Sequence, residues 1–162
     1  MSDEPEHPVI PGAYWAVEGK LLAGPYPGTW DREKTQERLA RLLEAGITFF
    51  VDLTQPGERE SYEPLLPEGA HYQRRSIRDM YVPAVEGMRD ILDTIDAALS
   101  GGHVVYVHCW GGIGRTGTVV GCYFVRHGLS GDAALQKLER LRSGSPETVE
   151  QRLMVYNWRE AK

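Results

Sequence analysis

The chain has 162 residues, 41% hydrophobic and 25% charged, the proportions of one globular domain with a single core. A formal net charge of -5 offers no footprint for nucleic acid or an anionic membrane, so a phosphorylated ligand must be met by a local positive site. Two cysteines, Cys109 and Cys122, are too few for a disulfide framework and point to a cytoplasmic protein, and no apolar run approaches the roughly 18 residues of a membrane span.

Residues 1–11 are acidic, carry three prolines and lack the basic start and apolar stretch of a signal peptide. They read as a flexible N-terminal tail, which leaves 12–162 as one domain. Short apolar runs at Tyr14–Val17 and Leu21–Ala23, around Glu18, Gly19 and Lys20, predict a hairpin. After the Pro25–Gly28 loop, Thr29 or Asp31 caps a helix running to Ala45, with Leu39, Leu42 and Leu43 on its buried face and Gly46 closing it. The run Ile47–Leu53 predicts a buried strand. Residues 54–68 read as a loop with one helical turn, His71–Ile77 as a further strand and Arg78–Pro83 as a loop. A helix follows over Ala84–Ser100, with Met88, Ile91, Leu92, Ile95 and Leu99 at helical spacing. His103–His108 is a strong central-strand pattern. Beyond it come a glycine-rich turn, an apolar helix to His127, and helices near Gly131–Arg142 and Pro146–Trp158. Strands alternating with helices imply an α/β fold, a mostly parallel central sheet flanked by helices, with the loops after its strands on one edge.

The chemistry concentrates in His108-Cys109-Trp110-Gly111-Gly112-Ile113-Gly114-Arg115-Thr116-Gly117. A buried strand delivers Cys109 to the sheet edge, and a helix begins about six residues later. Three glycines between them let the backbone curl, so that its amides form an anion-binding nest beside the positive end of the helix. Arg115 adds a planar, bidentate donor for two phosphate oxygens. The same field favours the thiolate of Cys109 over the thiol, which makes it a nucleophile placed in line with a phosphorus atom. Cys122, among Val119, Val120, Tyr123 and Phe124, reads as core.

This segment resembles the His-Cys-x5-Arg-Ser/Thr signature of the cysteine-dependent protein tyrosine phosphatase superfamily, and most closely its small dual-specificity phosphatase-like branch. The resemblance implies a protein tyrosine phosphatase-like fold, with 12–162 as the catalytic domain. It implies hydrolysis of phosphate monoesters, phosphotyrosine with phosphoserine or phosphothreonine beside it, through a cysteinyl-phosphate on Cys109. Thr116 would hydrogen-bond the sulfur and steady it as leaving group. His108 would orient the loop and help lower the Cys109 pKa. Trp110, Gly111, Gly112, Ile113, Gly114 and Arg115 would bind the substrate phosphate. The general acid is expected some thirty residues earlier on a loop with a following proline, where Asp79 stands ahead of Pro83; Glu58 and Glu60 are the other carboxylates in reach. Gln151 would position the attacking water. The stretch Asp52–Glu58 resembles the family's post-strand loop and reads as structural.

No cofactor is implied, and the histidines lack metal-ligand spacing, so no metal is expected. The partner is a phosphorylated protein or a small phosphomonoester, met by a monomer, with neither nucleic acid nor membrane involved. No lysine stands between Cys109 and Arg115, which favours one phosphate over a polyphosphate. The acid loop reads Arg-Asp-Met rather than Trp-Pro-Asp, which leaves tyrosine selectivity open. Arg74, Arg75 and Arg78 form a basic cluster that reads either as a solvated strand edge or as a steering surface. Trp15, Trp30 and Trp158 are expected in the core or at its margins. Three other readings compete: a phosphatase of small-molecule esters, an inactive phosphate-binding module, and a sulfurtransferase or arsenate reductase. The last would need a resolving cysteine, and Cys122 stands on a buried helix face.

Overall fold

The computed structural model describes residues 7–160. Strands β1 (Tyr14–Val17) and β2 (Leu21–Gly24) form the expected antiparallel hairpin. Helix α1 (Arg32–Glu44) is capped by Asp31, whose carboxylate accepts from the Glu33 amide at 2.9 Å. The other candidate cap, Thr29, supports that residue instead, donating its hydroxyl to the Asp31 carbonyl at 2.7 Å. Strand β3 (Phe49–Asp52) is shorter than the apolar run that announced it, because Ile47 and Leu53 are buried without belonging to the strand. A single 3-10 turn, Glu63–Leu65, is the helical turn expected in the long loop.

Strand β4 (His71–Arg74) ends before the predicted Ile77, yet the amides of Arg75 and Ile77 still donate to the Asp52 and Leu53 carbonyls at 2.8 and 2.9 Å. Helix α2 (Val85–Ser100), strand β5 (Val105–His108) and helix α3 (Arg115–Arg126) follow. Helix α4 (Gly131–Leu141) precedes α5 (Val149–Tyr156), which is shorter at both ends than the predicted Pro146–Trp158. Its start is set by a capping box in which Thr148 accepts from the Gln151 amide while the Gln151 side chain reaches back.

The sheet runs β1-β2-β5-β3-β4, parallel except for the first pair. Period-two alternation divides two hydrophobic layers. Val51, Val105 and Val107 join α2 and α3, while Phe50 and Tyr106 join Leu39 and Leu42 of α1. Ile10 is fully buried in the second layer and Val9 packs against it, so the expected tail is packed at these two residues, and 1–6 lie outside the described residues. The register aligns the C-terminal ends of four strands: Gly24 opposite His108, His108 opposite Asp52, Asp52 opposite Arg74. Four loops therefore leave the sheet side by side. No helix among the described residues is long and apolar enough to cross a membrane.

Candidate active site

The loop after β5 curls because its carbonyls are drawn outward. The Trp110 carbonyl accepts from the Tyr26 amide at 3.0 Å, and the Ile113 carbonyl from the Ser145 hydroxyl at 2.7 Å. The Gly114 carbonyl accepts from both the amide and the hydroxyl of Thr118, at 2.9 and 2.8 Å. Cys109, 3% exposed, receives the Gly112 amide on its Sγ at 3.3 Å. Gly112 is obligatory: its φ is 76°, and a Cβ there would lie 2.5 Å from the Gly24 carbonyl carbon. Gly111 and Gly114 lack a positive φ, and the expectation that all three glycines spare the curl a Cβ clash fails at Gly111 alone. A Cβ on Gly111 would meet open space, whereas one on Gly114 would press on Gln151 and Glu147 at 3.1 and 3.2 Å. No side chain caps α3, so its first-turn amides have no side-chain acceptor among the described residues.

His108 is fully buried beneath this loop. Its Nε2 meets the Tyr62 hydroxyl at 2.5 Å and its Nδ1 faces the Cys109 carbonyl at 3.3 Å. With the proton on Nδ1 both contacts are satisfied, Tyr62 donating to Nε2. Burial pushes the histidine down to about 4, against the opposing pull of the Asp52 charge and the Cys109 carbonyl. The contact at Nδ1 ties the imidazole to the loop through the Cys109 carbonyl. Asp52, also fully buried, has the structural role expected of its segment. It accepts the Thr54 amide and hydroxyl at 2.9 and 2.6 Å and the Tyr72 hydroxyl at 2.5 Å.

Arg115 is 1% exposed and meets two carboxylates. Glu58 takes Nη1 and Nη2 at 2.8 and 3.0 Å, a bidentate fork, and Nη1 also donates to the Ile77 carbonyl at 3.0 Å. Asp79 Oδ1 lies 3.4 Å from Nε, without the alignment of a hydrogen bond, and Nε has no other partner among the described residues. Burial works to lower the guanidinium's pKa, but Glu58, Cys109 and Asp79 outweigh it and raise it. Glu58 is held below its ordinary value: burial opposes this, and the Arg115 and Gln55 hydrogen bonds prevail.

The other expected residues divide. The Thr116 hydroxyl donates to the Gly24 carbonyl at 3.5 Å, so the hydrogen bond to the sulfur comes from Gly112 rather than from Thr116. Gln151 is fully buried; its Oε1 accepts the Glu147 and Thr148 amides at 3.0 Å each, while Nε2 has no partner among the described residues. Glu60 is exposed and contributes its carbonyl to the Tyr26 hydroxyl at 2.8 Å. The basic cluster is dispersed: Arg74 pairs with Asp52 at 3.4 Å, Arg75 with Asp90 at 3.0 Å, and Arg78 lies 4.4 Å from the Tyr81 ring. Cys122 is fully buried and burial pushes its thiol up, as a core cysteine requires. Trp158 is buried, but Trp30 is 95% exposed, against expectation. Sequence reasoning missed Tyr26, Tyr62 and Ser145, because nothing in their local pattern marks a residue that pulls on a distant carbonyl.

A cysteine in an outward-tied loop, closed by a buried guanidinium at the C-terminal edge of a mostly parallel sheet, defines the cysteine-dependent phosphatase class. The family described as "Polymorphic toxin system, DSP-PTPase phosphatase" matches residues 27–129, and the chain belongs to it, a small dual-specificity phosphatase-like member of that superfamily. It is 29% identical over 163 residues to mouse protein tyrosine phosphatase domain-containing protein 1, covering 90% of this chain and 21% of that protein. It is 29% identical to the phosphatidylglycerophosphate phosphatase PTPMT1 of Arabidopsis thaliana over 63% of this chain and 31% of that one. The chain thus spans less than half the length of these curated relatives. Among solved structures, Tk-PTP in the active form superposes with a TM-score of 0.76 at 30% identity, over 90% of this chain and 93% of that one. Kinase associated phosphatase, at 19% identity and a TM-score of 0.74, covers 94% of each chain and shares the fold.

Proposed function

We propose that the chain hydrolyses phosphate monoesters through a cysteinyl-phosphate on Cys109. The observation that carries this reading is the sulfur seated against the Gly112 amide, beside a guanidinium whose Nε faces Asp79 at 3.4 Å and has no hydrogen-bond partner among the described residues. Phosphate oxygens take the loop amides, the first turn of α3 and Arg115. The Cys109 thiolate attacks phosphorus, the P–O ester bond breaks, and Asp79 gives its proton to the departing oxygen. In the second step Asp79 takes a proton from water, the water oxygen bonds to phosphorus, and the P–S bond returns its electrons to the sulfur. Gln151 Nε2, unpartnered behind Gly114, is the group that positions this water. Thr116 serves the departing sulfur only if its hydroxyl leaves Gly24. Glu58 positions Arg115 and does not transfer protons.

The substrate is a phosphotyrosyl or related monoester with a single phosphate, since the cradle has no lysine for a second one. Hydrolysis of p-nitrophenyl phosphate, inhibited by vanadate and abolished in Cys109→Ser, is the expected result. Full turnover in Cys109→Ser, or none in the wild type, removes the reading. Phosphatidylglycerophosphate, named for the Arabidopsis relative, belongs in the same assay as the competing ester.

A further inference from the structure

One buried hydroxyl beside the cradle is left over. Tyr14, the first residue of β1, is 1% exposed, and its hydroxyl has no hydrogen-bond partner among the described residues. It shares a core layer with Cys109. Burial is the main cause that pushes its pKa up, the Cys109 charge adds to the rise, and Arg142 and the Ser145 hydroxyl act against it. The Ser145 hydroxyl is thus a neighbour, short of a formed bond. Ser145 is fully buried and wedged: a Cβ on Gly117, in the first turn of α3, would lie 2.0 Å from its Oγ. Its hydrogen is already given to the Ile113 carbonyl at 2.7 Å. The Ser145 oxygen can still accept, and the Tyr14 hydroxyl has a hydrogen to give.

We infer that Tyr14 is a positioning residue: it donates to Ser145 and, through Ser145, holds the Ile113–Gly114 peptide with the Gly114 amide turned toward the bound phosphate. The inference rests on the phosphatase reading and adds a residue to the same site. The Ile113 carbonyl is drawn outward to Ser145, so the trans peptide turns the Gly114 N–H the opposite way, into the cradle. A phosphate that takes this N–H polarises the peptide and makes the Ile113 carbonyl a stronger acceptor. Ser145, donating more strongly, becomes a better acceptor in turn, and the bond from Tyr14 closes as the anion binds. The other outward ties are built differently. The Trp110 carbonyl is held by the main-chain amide of Tyr26, and the Gly114 carbonyl by Thr118 from within α3. Of the three, the Ile113 tie alone is carried by a side chain from outside the loop and its helix, and Tyr14 stands behind that side chain.

The test uses Tyr14→Phe, which keeps the ring and its packing, Ser145→Ala and the double variant. Calorimetry with inorganic phosphate gives binding about threefold weaker in Tyr14→Phe and about tenfold weaker in Ser145→Ala. The double variant is no weaker than Ser145→Ala alone, because Tyr14 acts through Ser145. The second readout is one that a merely structural role would not move. The pH midpoint for alkylation of Cys109 by iodoacetate rises by about 0.3 unit in Tyr14→Phe, since the thiolate draws on the same polarised peptide. Cys122, buried and with its thiol pushed up, does not compete for the label. A Tyr14→Phe protein with either quantity at its wild-type value overturns the inference, as do losses that add in the double variant. A wild type that binds phosphate without hydrolysing p-nitrophenyl phosphate removes the phosphatase reading, and the role of Tyr14 is then decided by the binding cycle. A wild type that binds no phosphate overturns both.

Discussion

The loops after β3 and β4 each bring a carboxylate to the same guanidinium, and they hold it differently. Glu58 has a side chain 20% exposed and makes two short bonds to Arg115. Its loop is pinned beneath the cradle by Tyr62 on His108 and by the Glu60 carbonyl on Tyr26. The Asp79 side chain is 61% exposed and stands 3.4 Å from Nε. Its neighbour Met80 sits at φ 70° and is 47% exposed, and the Tyr81 amide closes a turn on the Arg78 carbonyl at 3.0 Å. A carboxylate that positions a cation must stay ionised and immobile. One that passes a proton to a leaving group and takes one from water must be reachable and free to adjust. Under the proposed mechanism the two loops would meet these opposed requirements at one arginine.

Replacing the proton carrier should have the largest effect. Asp79→Asn is expected to lower kcat/KM for an alkyl phosphate by roughly 10²–10⁴-fold, the usual worth of a positioned acid. The loss on p-nitrophenyl phosphate, whose leaving group needs little help, should stay below about tenfold. Steady-state kinetics on the two esters decides it, and equal losses would move the acid to another residue and erase the distinction between the loops.

The pinned loop can be challenged with pH. His108 has its pKa pushed down to about 4 in the folded chain, against 6.5 when unfolded. As pH falls, the unfolded chain takes the proton first. The stability gained by keeping this ring neutral is therefore complete above about pH 6.5 and is lost on the way to 4, on the order of 3 kcal/mol in all. Glu58, with its pKa lowered, adds a loss of the same sign below the ordinary carboxylate value. Urea unfolding at pH 7 and pH 5 should differ by about 2 kcal/mol, and His108→Gln should flatten that slope. A slope that survives the substitution would place the acid sensitivity outside the pinned loop.

The same contrast explains what could be read from the sequence. Cys109, Gly112 and Arg115 were legible because their chemistry is local: strand, turn and helix start follow one another, and the glycine that must curl is a glycine. The strands and helices are legible from periodicity, and their ends less so: buried residues such as Ile47, Leu53 and Ile77 flank the strands without belonging to them, and a capping box sets the start of α5 at Thr148. The partners of the cradle were not legible. Tyr62, Tyr26 and Ser145 reach it from 46, 84 and 32 residues away along the chain, through Tyr62–His108, Tyr26–Trp110 and Ser145–Ile113, the two tyrosines from loops that follow strands and Ser145 from the connection between α4 and α5. Glu58 was counted as a spare acid, whereas its bidentate geometry makes it the holder of Arg115. Trp30 was assigned to the core because aromatic residues usually go there, and one that stays outside gives no local sign of it.

Glu58→Gln keeps the shape of the holder and removes its charge. The guanidinium then loses half of a charge-assisted fork, and kcat/KM should fall roughly tenfold, equally for alkyl and aryl esters, because the defect lies in phosphate positioning and not in proton supply. Weaker vanadate inhibition should accompany it. A loss confined to the alkyl ester would make Glu58 a second proton carrier.

The smallest expected effect probes the free loop through Met80. A side chain in the left-handed region costs about 1–2 kcal/mol. Glycine at this position removes that cost and gives back roughly 0.5–1 kcal/mol by loosening the unfolded chain. Met80→Gly should therefore stabilise the protein by about 0.5 kcal/mol while letting the acid loop wander, so that turnover of alkyl phosphates falls two- to threefold, on the order of what half a kcal/mol of misplacement produces. Met80→Ala retains the strained Cβ and loses only the exposed thioether, and it should leave both quantities near wild type. If alanine slows turnover as much as glycine does, the methionine side chain, rather than the backbone bend it tolerates, is what sets Asp79 beside Arg115.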